Sequence, residues 1–237
     1  ITFVVHTFPE AVRAARWHLA LAVGLLLIGV TTGFAVVASD LDLYDAFIAP
    51  AMAQGRDPSA SRDDLLEVIY SDGDLSDGLT LFATMLFQHN TQVGILCFAI
   101  GFAAGIPVLY LLFTNGMMLG AMGALHHVQG LSVDFWGWIL PHGITEFLAI
   151  ALCGAAGLLQ GHAVVLPGRR SRLGALKHAG RQAGVIVIGC VALFLIAALI
   201  EGFFRQLVQS VPVRYGLASA TAALWIAYFG LSGRRAP

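Results

Sequence analysis

The chain has 237 residues, of which 58% are hydrophobic and 11% charged, and its formal net charge is -1. A soluble domain carries about 25% charged residues, so the composition excludes an ordinary soluble enzyme and predicts an integral membrane protein built as one helical bundle. The balanced charge gives no electrostatic footprint for a nucleic-acid partner.

The reading is all-α, a single transmembrane domain over residues 1–237. The chain opens on Ile1 rather than Met, so a native N-terminal cytoplasmic region is expected ahead of it. Six apolar segments follow in order: about Trp17–Ala38, Thr91–Ile106, Val108–Val128, Phe135–Leu166, Ala183–Phe204 and Tyr215–Leu231. A crossing needs about 20 residues, so the second is expected to tilt or to extend through residues 79–90, and the long fourth to tilt or to begin as an interfacial helix. Pro141 suits the first turn of the fourth helix. Trp136 and Trp138 near its start read as an aromatic interface anchor.

Six crossings place both termini on one side. Arg13, Arg16, Arg169, Arg170, Arg172, Lys177, Arg181, Arg234 and Arg235 fall on that side, and only Arg56, Arg62, Arg205 and Arg214 on the other. The positive-inside rule then makes both termini cytoplasmic, with a basic cytoplasmic loop at about 167–182. The connection at about 39–78 becomes an extracytoplasmic acidic loop, holding ten of the fourteen acidic residues. Within it "SRDDLLEVIY" predicts a short amphipathic helix, with Ser61 as N-cap and Asp64 three residues on.

Small residues recur at four-residue spacing: Gly101 with Gly105, Gly116 with Gly120, Gly157 with Gly161, Gly180 with Gly184. In lipid such spacing lets helix backbones approach closely, within the chain or in a homodimer. Cys97, Cys153 and Cys190 sit in apolar runs with neither disulfide-framework nor zinc-finger spacing, and read as small packing residues.

Ionisable groups inside a membrane are costly and usually face a partner or water. The candidates are His89, Asn90, Asn115, His126, His127, His142, Glu146 and Glu201. The topology brings most of them toward the outer half of the bundle, with Asn115 in the cytoplasmic half. His142 and Glu146, at i and i+4 in "PHGITEF", share one helix face. Three readings stay open. In a structural latch, Glu146 accepts from His142, His89 or Asn90, and Glu201 pairs with Arg205. In a proton or ion path, Glu146 and Glu201 carry the charge. In a metal site, His89, His142 and Glu146 hold a divalent transition metal such as zinc, with Glu201 as a fourth ligand. No complete metalloprotease motif accompanies the last, and no catalytic residue is assigned.

The stretches "FQHNTQVGILCFAIGFAAGIPVLYLLFTNGMMLGA", "LPHGITEFLAIALCGAAGLLQG" and "IAALIEGF" resemble the stage II sporulation protein M family of integral membrane proteins. The matching elements are His89-Asn90, Gly101 and Gly105, Asn115-Gly116 with Gly120, Pro141-His142-Gly143 with Glu146, and Glu201-Gly202. The resemblance covers residues from about 80 to 205 and implies a multi-pass protein of the bacterial inner membrane. It further implies other envelope proteins as partners, either a peptidoglycan-remodelling enzyme or an AAA+ ATPase of the MoxR type. The expected role is a non-enzymatic scaffold or recruiting component of a cell-envelope remodelling complex. A proton- or ion-coupled transporter and an intramembrane metalloenzyme are the alternatives.

Overall fold

The computed structural model describes residues 1–53, 55–70, 78–204 and 207–233; among them the chain is helical, with no strand. A π-helical turn (Phe3–Thr7) leads through α1 (Phe8–Ala14) into α2 (Arg16–Ser39). A 3-10 turn (Leu41–Ala46), α3 (Pro50–Ala53) and α4 (Arg62–Tyr70) follow. The remaining helices are α5 (Gly78–Ile100), α6 (Ile106–Val128), α7 (Ser132–Val165), α8 (Arg172–Leu199) with a π-helical extension Ile200–Phe204, and α9 (Val211–Leu231). Each of the six apolar segments falls mainly on one of these helices, but the second ends at Ile100 and not at Ile106, since residues 101–105 form a turn. Among the described residues, four helices are long and apolar enough to cross a bilayer: α2, α6, α7 and α8 with its extension. Helices α5 and α9, of 23 and 21 residues, pack against α7.

Local chemistry sets the boundaries. Helix α5 stops at a turn in which Ala104 and Gly105 both take positive φ, 56° and 73°, a conformation natural to glycine and strained for alanine. Pro107 then sits in the first turn of α6, where its missing N–H costs nothing. Helix α8 begins at Ser171, whose hydroxyl accepts from the Gly174 amide at 3.1 Å. Most of the basic stretch at 167–182 is therefore helical rather than loop. Helix α7 begins at Ser132, so Pro141 lies in its interior and not in its first turn.

Backbone contact at glycine holds the bundle together. Helix α2 runs along α6, and a Cβ added at Gly29 or Gly33 would strike the carbonyls of Phe113 or Met117. One added at Gly116 or Gly120 would strike those of Leu26 or Val30. Gly101, Gly157 and Gly161 meet in the same way where α5 and the turn after it cross α7. Gly180 and Gly184 face open space. The three cysteines are buried among apolar side chains of one core.

Each end of the bundle is closed by a folded segment. At one end Phe8 presses on Gly189 of α8, Arg13 donates to the carbonyls of Phe229 and Ser232 at 3.0 and 2.6 Å, and the Tyr228 hydroxyl donates to the Val4 carbonyl at 2.6 Å. The N-terminal segment and the end of α9 thus meet. At the other end residues 40–53 and 55–70 form a cap, whose Tyr44, Ile48 and Leu65 pack with Val37, Leu125 and Leu131 of the bundle. Ser61 and Asp64 close a reciprocal box at the start of α4: the Asp64 amide donates to the Ser61 hydroxyl, and the Ser61 amide to the Asp64 carboxylate at 2.9 Å.

Gly120→Val should lower the detergent melting midpoint by an amount equivalent to ~1–3 kcal/mol, the usual cost of forcing atoms into a packed core. Gly184→Val, where the added atoms meet nothing, should leave it unchanged. Equal melting of the two variants would remove the α2–α6 contact as the organising interaction.

Candidate functional site

Five separate segments bring polar groups to one cavity of about 150 Å³. Asn90 comes from α5, Asn115 from α6, His142 and Glu146 from α7, and Glu201 from the π-helical extension of α8; Arg56 enters from the cap. His142, Glu146, Glu201 and Arg56 are each under a tenth exposed. The spacing that put His142 and Glu146 on one face also puts both toward this cavity. The π-helical turn at Ile200–Phe204 carries Glu201 to the same level.

The pairing is divided. Asn90 Nδ2 donates to Glu146 Oε1. His142 Nε2 lies 3.9 Å from Glu201 Oε1, and so His142 faces the second carboxylate rather than Glu146. Asn115 donates to the Leu111 carbonyl of its own helix at 2.7 Å while still lining the cavity. The side chain of His89 and the whole of Arg205 lie outside the described residues. His126 and His127 stand away from the cavity: His126 stacks on Phe135 and bonds the Met122 carbonyl at 2.8 Å, and His127 bonds Ser132. Among the described residues no group of three or more His, Cys, Asp or Glu converges closely enough to hold a metal ion. His142 faces Glu201, and Glu146 bonds Asn90; the metal set read from the sequence also calls on His89, whose side chain lies outside the described residues.

Arg56 and Arg214 are the residues that sequence reasoning undervalued, since both served only as topology counters. Arg56 donates from Nε to the Ala53 carbonyl at 3.0 Å and lies 5.6 Å from the centre of the Trp138 ring. Trp138 is buried under it and is not an interface anchor. Arg214, at the start of α9, donates to the Val208 carbonyl at 2.8 Å and sits 5.2 Å from the Tyr70 ring centre. The Tyr70 hydroxyl donates to Asp134 of α7. The cap is thus fastened to α7 and α9 through a cation, a ring and a carboxylate. Burial and the Asp134 carboxylate push the Tyr70 hydroxyl up to about 12, and burial pushes Tyr44 up to about 12. Cavities in membrane proteins that carry polar atoms on several walls hold water or a polar ligand.

Two outcomes follow. Asn90→Ala removes the donor to a buried carboxylate and should cost ~1–3 kcal/mol. Combined with Glu146→Ala it should cost less than the sum of the single changes, because the two side chains act as a pair; strict additivity in detergent melting would dissolve the pair. In the cap, the Ser61 hydroxyl and amide hold the Asp64 carboxyl below its ordinary value of 3.8. A depressed carboxyl contributes stability that is full above the ordinary value and lost as pH falls through the lowered one. Ser61→Ala should therefore raise the Asp64 titration midpoint, read by carbon NMR, toward 3.8. An unmoved midpoint would show that the box does not form.

Neither a curated protein nor a solved structure matches the chain. A family model described as stage II sporulation protein M matches residues 22–205. The match runs from within α2 to the end of the π-helical extension, so it takes in the cap, the glycine contacts and every described residue lining the cavity. On that coverage the chain belongs to the stage II sporulation protein M family.

Proposed function

We propose that the chain is a non-enzymatic membrane scaffold that recruits partners to a cell-envelope remodelling complex. It sits in the bacterial inner membrane as a multi-pass bundle, with the cap outside and the basic end in the cytoplasm. The observation that carries this reading is the cap. Asp40, Asp42, Asp45, Asp63, Asp64 and Glu67 are exposed on a segment whose apolar residues are locked into the bundle. Acidic side chains on a rigid mount form a docking surface of fixed shape, which steers a basic partner and fixes its orientation. A peptidoglycan-remodelling enzyme fits that side. An ATPase of the MoxR type fits the cytoplasmic side.

The buried cavity favours a second reading, a proton- or ion-coupled transporter. Glu146 and Glu201 lie on different helices and line one chamber, and carboxylates inside a membrane mark proton and ion pathways. The two readings separate on paired variants in cells that depend on the protein. For a scaffold, Asp63→Lys with Glu67→Lys abolishes function and partner co-purification while melting is unchanged, and Glu146→Gln leaves function intact. For a transporter the pattern reverses, with flux into liposomes lost in Glu146→Gln alone.

A further inference from the structure

The end of the bundle opposite the cap carries exposed cations that neither the cavity nor the docking reading uses. Arg16, Arg169, Arg170, Arg172, Lys177 and Arg181 are all exposed, and none forms an ion pair among the described residues. They belong to one end of the molecule. His18 Nε2 meets His162 Nδ1 at 3.0 Å, tying the start of α2 to the end of α7. Gln182 donates to the Ala11 carbonyl at 3.2 Å, tying α8 to α1. Glu10 is the one carboxylate described there.

Large apolar side chains stand exposed among these cations. Val165, Leu166 and Leu173 are 53%, 68% and 77% exposed, and Trp17 is 74% exposed with the Arg16 guanidinium 5.7 Å from its ring centre. On α8, Leu173, Lys177 and Arg181 follow at four-residue spacing and share one face. Leucines interspersed with arginines suit a bilayer surface, because the apolar groups enter the acyl boundary while the cations meet phosphate.

Helix length puts this face at the correct depth. The helical run Arg172–Phe204 has 33 residues and α7 has 34. At 1.5 Å per residue each is roughly 50 Å long, against about 30 Å of hydrocarbon and about 40–45 Å with headgroups. The first turns of α8 and the last of α7 therefore project into the headgroup layer. A basic cluster beside a membrane-spanning helix is attracted to anionic lipid.

We infer that the α7–α8 corner and the α1–α2 junction together form a binding surface for anionic phospholipid headgroups. The surface is independent of the scaffold reading and of which side of the membrane it faces.

The test is native mass spectrometry of the full chain in neutral detergent, titrated with phosphatidylglycerol or with phosphatidylcholine of the same acyl chains. Phosphatidylglycerol should bind at least roughly tenfold more tightly, given the attraction per basic residue near an anionic surface. The preference should vanish in Arg169→Gln/Arg170→Gln/Arg172→Gln and persist in the cap variant Asp63→Lys/Glu67→Lys. Leu166→Ser/Leu173→Ser should weaken both lipids and keep the preference. Inorganic phosphate at equal concentration should not displace the lipid. Equal binding of the two lipids, a preference that survives loss of the three arginines, or displacement by phosphate would each overturn the assignment. Should the triple variant melt early, Lys177→Gln/Arg181→Gln serves in its place with the same expectation.

Discussion

Helices that share a bilayer gain little by exchanging a lipid tail for a leucine, so association must come from contact closer than lipid can make. In this chain the closest contact is backbone against backbone at glycine. Gly29 and Gly33 of α2 lie against the backbone of α6 at residues 113–117, Gly116 and Gly120 of α6 lie against that of α2 at residues 26–34, and Gly101, Gly157 and Gly161 join the α5 region to α7. The rest of the structure is positioned by those two seams. The α2–α6 seam brings together the helix ends on which the cap packs, and the α5–α7 seam sets Asn90 opposite Glu146.

Once the seams form, polar groups lie where lipid cannot solvate them, and the two buried carboxylates are each answered from another element. Glu146 is answered by Asn90, Glu201 faces His142, and the cap contributes Arg56 over Trp138. Breaking one partner of such an arrangement leaves a buried polar group uncompensated, which costs more than the pair is worth. The cap and the cavity are therefore not separable modules. A partner that pulled on the acidic surface would act on Arg56, and through it on the chamber beneath.

The molecule is electrically bipolar. Exposed carboxylates gather on the cap and exposed cations at the opposite end, separated by the length of α2, about 35 Å for its 24 residues. Such an arrangement presents two chemically unlike surfaces, an acidic one on the cap and a basic one at the far end.

The sequence by itself determined the membrane class, the helical nature of each apolar segment, the Ser61–Asp64 cap and the common face of His142 and Glu146. These follow from composition and from periodicities of three or four residues, which act within a few turns. Family membership was also legible, from Asn90, Asn115, Pro141, His142, Glu146 and Glu201 in their local settings. Only the tertiary structure decided that His142 faces Glu201 while Glu146 takes Asn90, since pairing between helices depends on their rotation about the glycine seams. It alone turned Arg56, Arg214 and Trp138 inward, because burying them needs the cap folded first. Gly29 and Gly33 carried the same small-residue spacing as Gly116 and Gly120, yet spacing marks a capacity for close approach and not the partner that uses it. Gly180 and Gly184 have that capacity too and meet nothing.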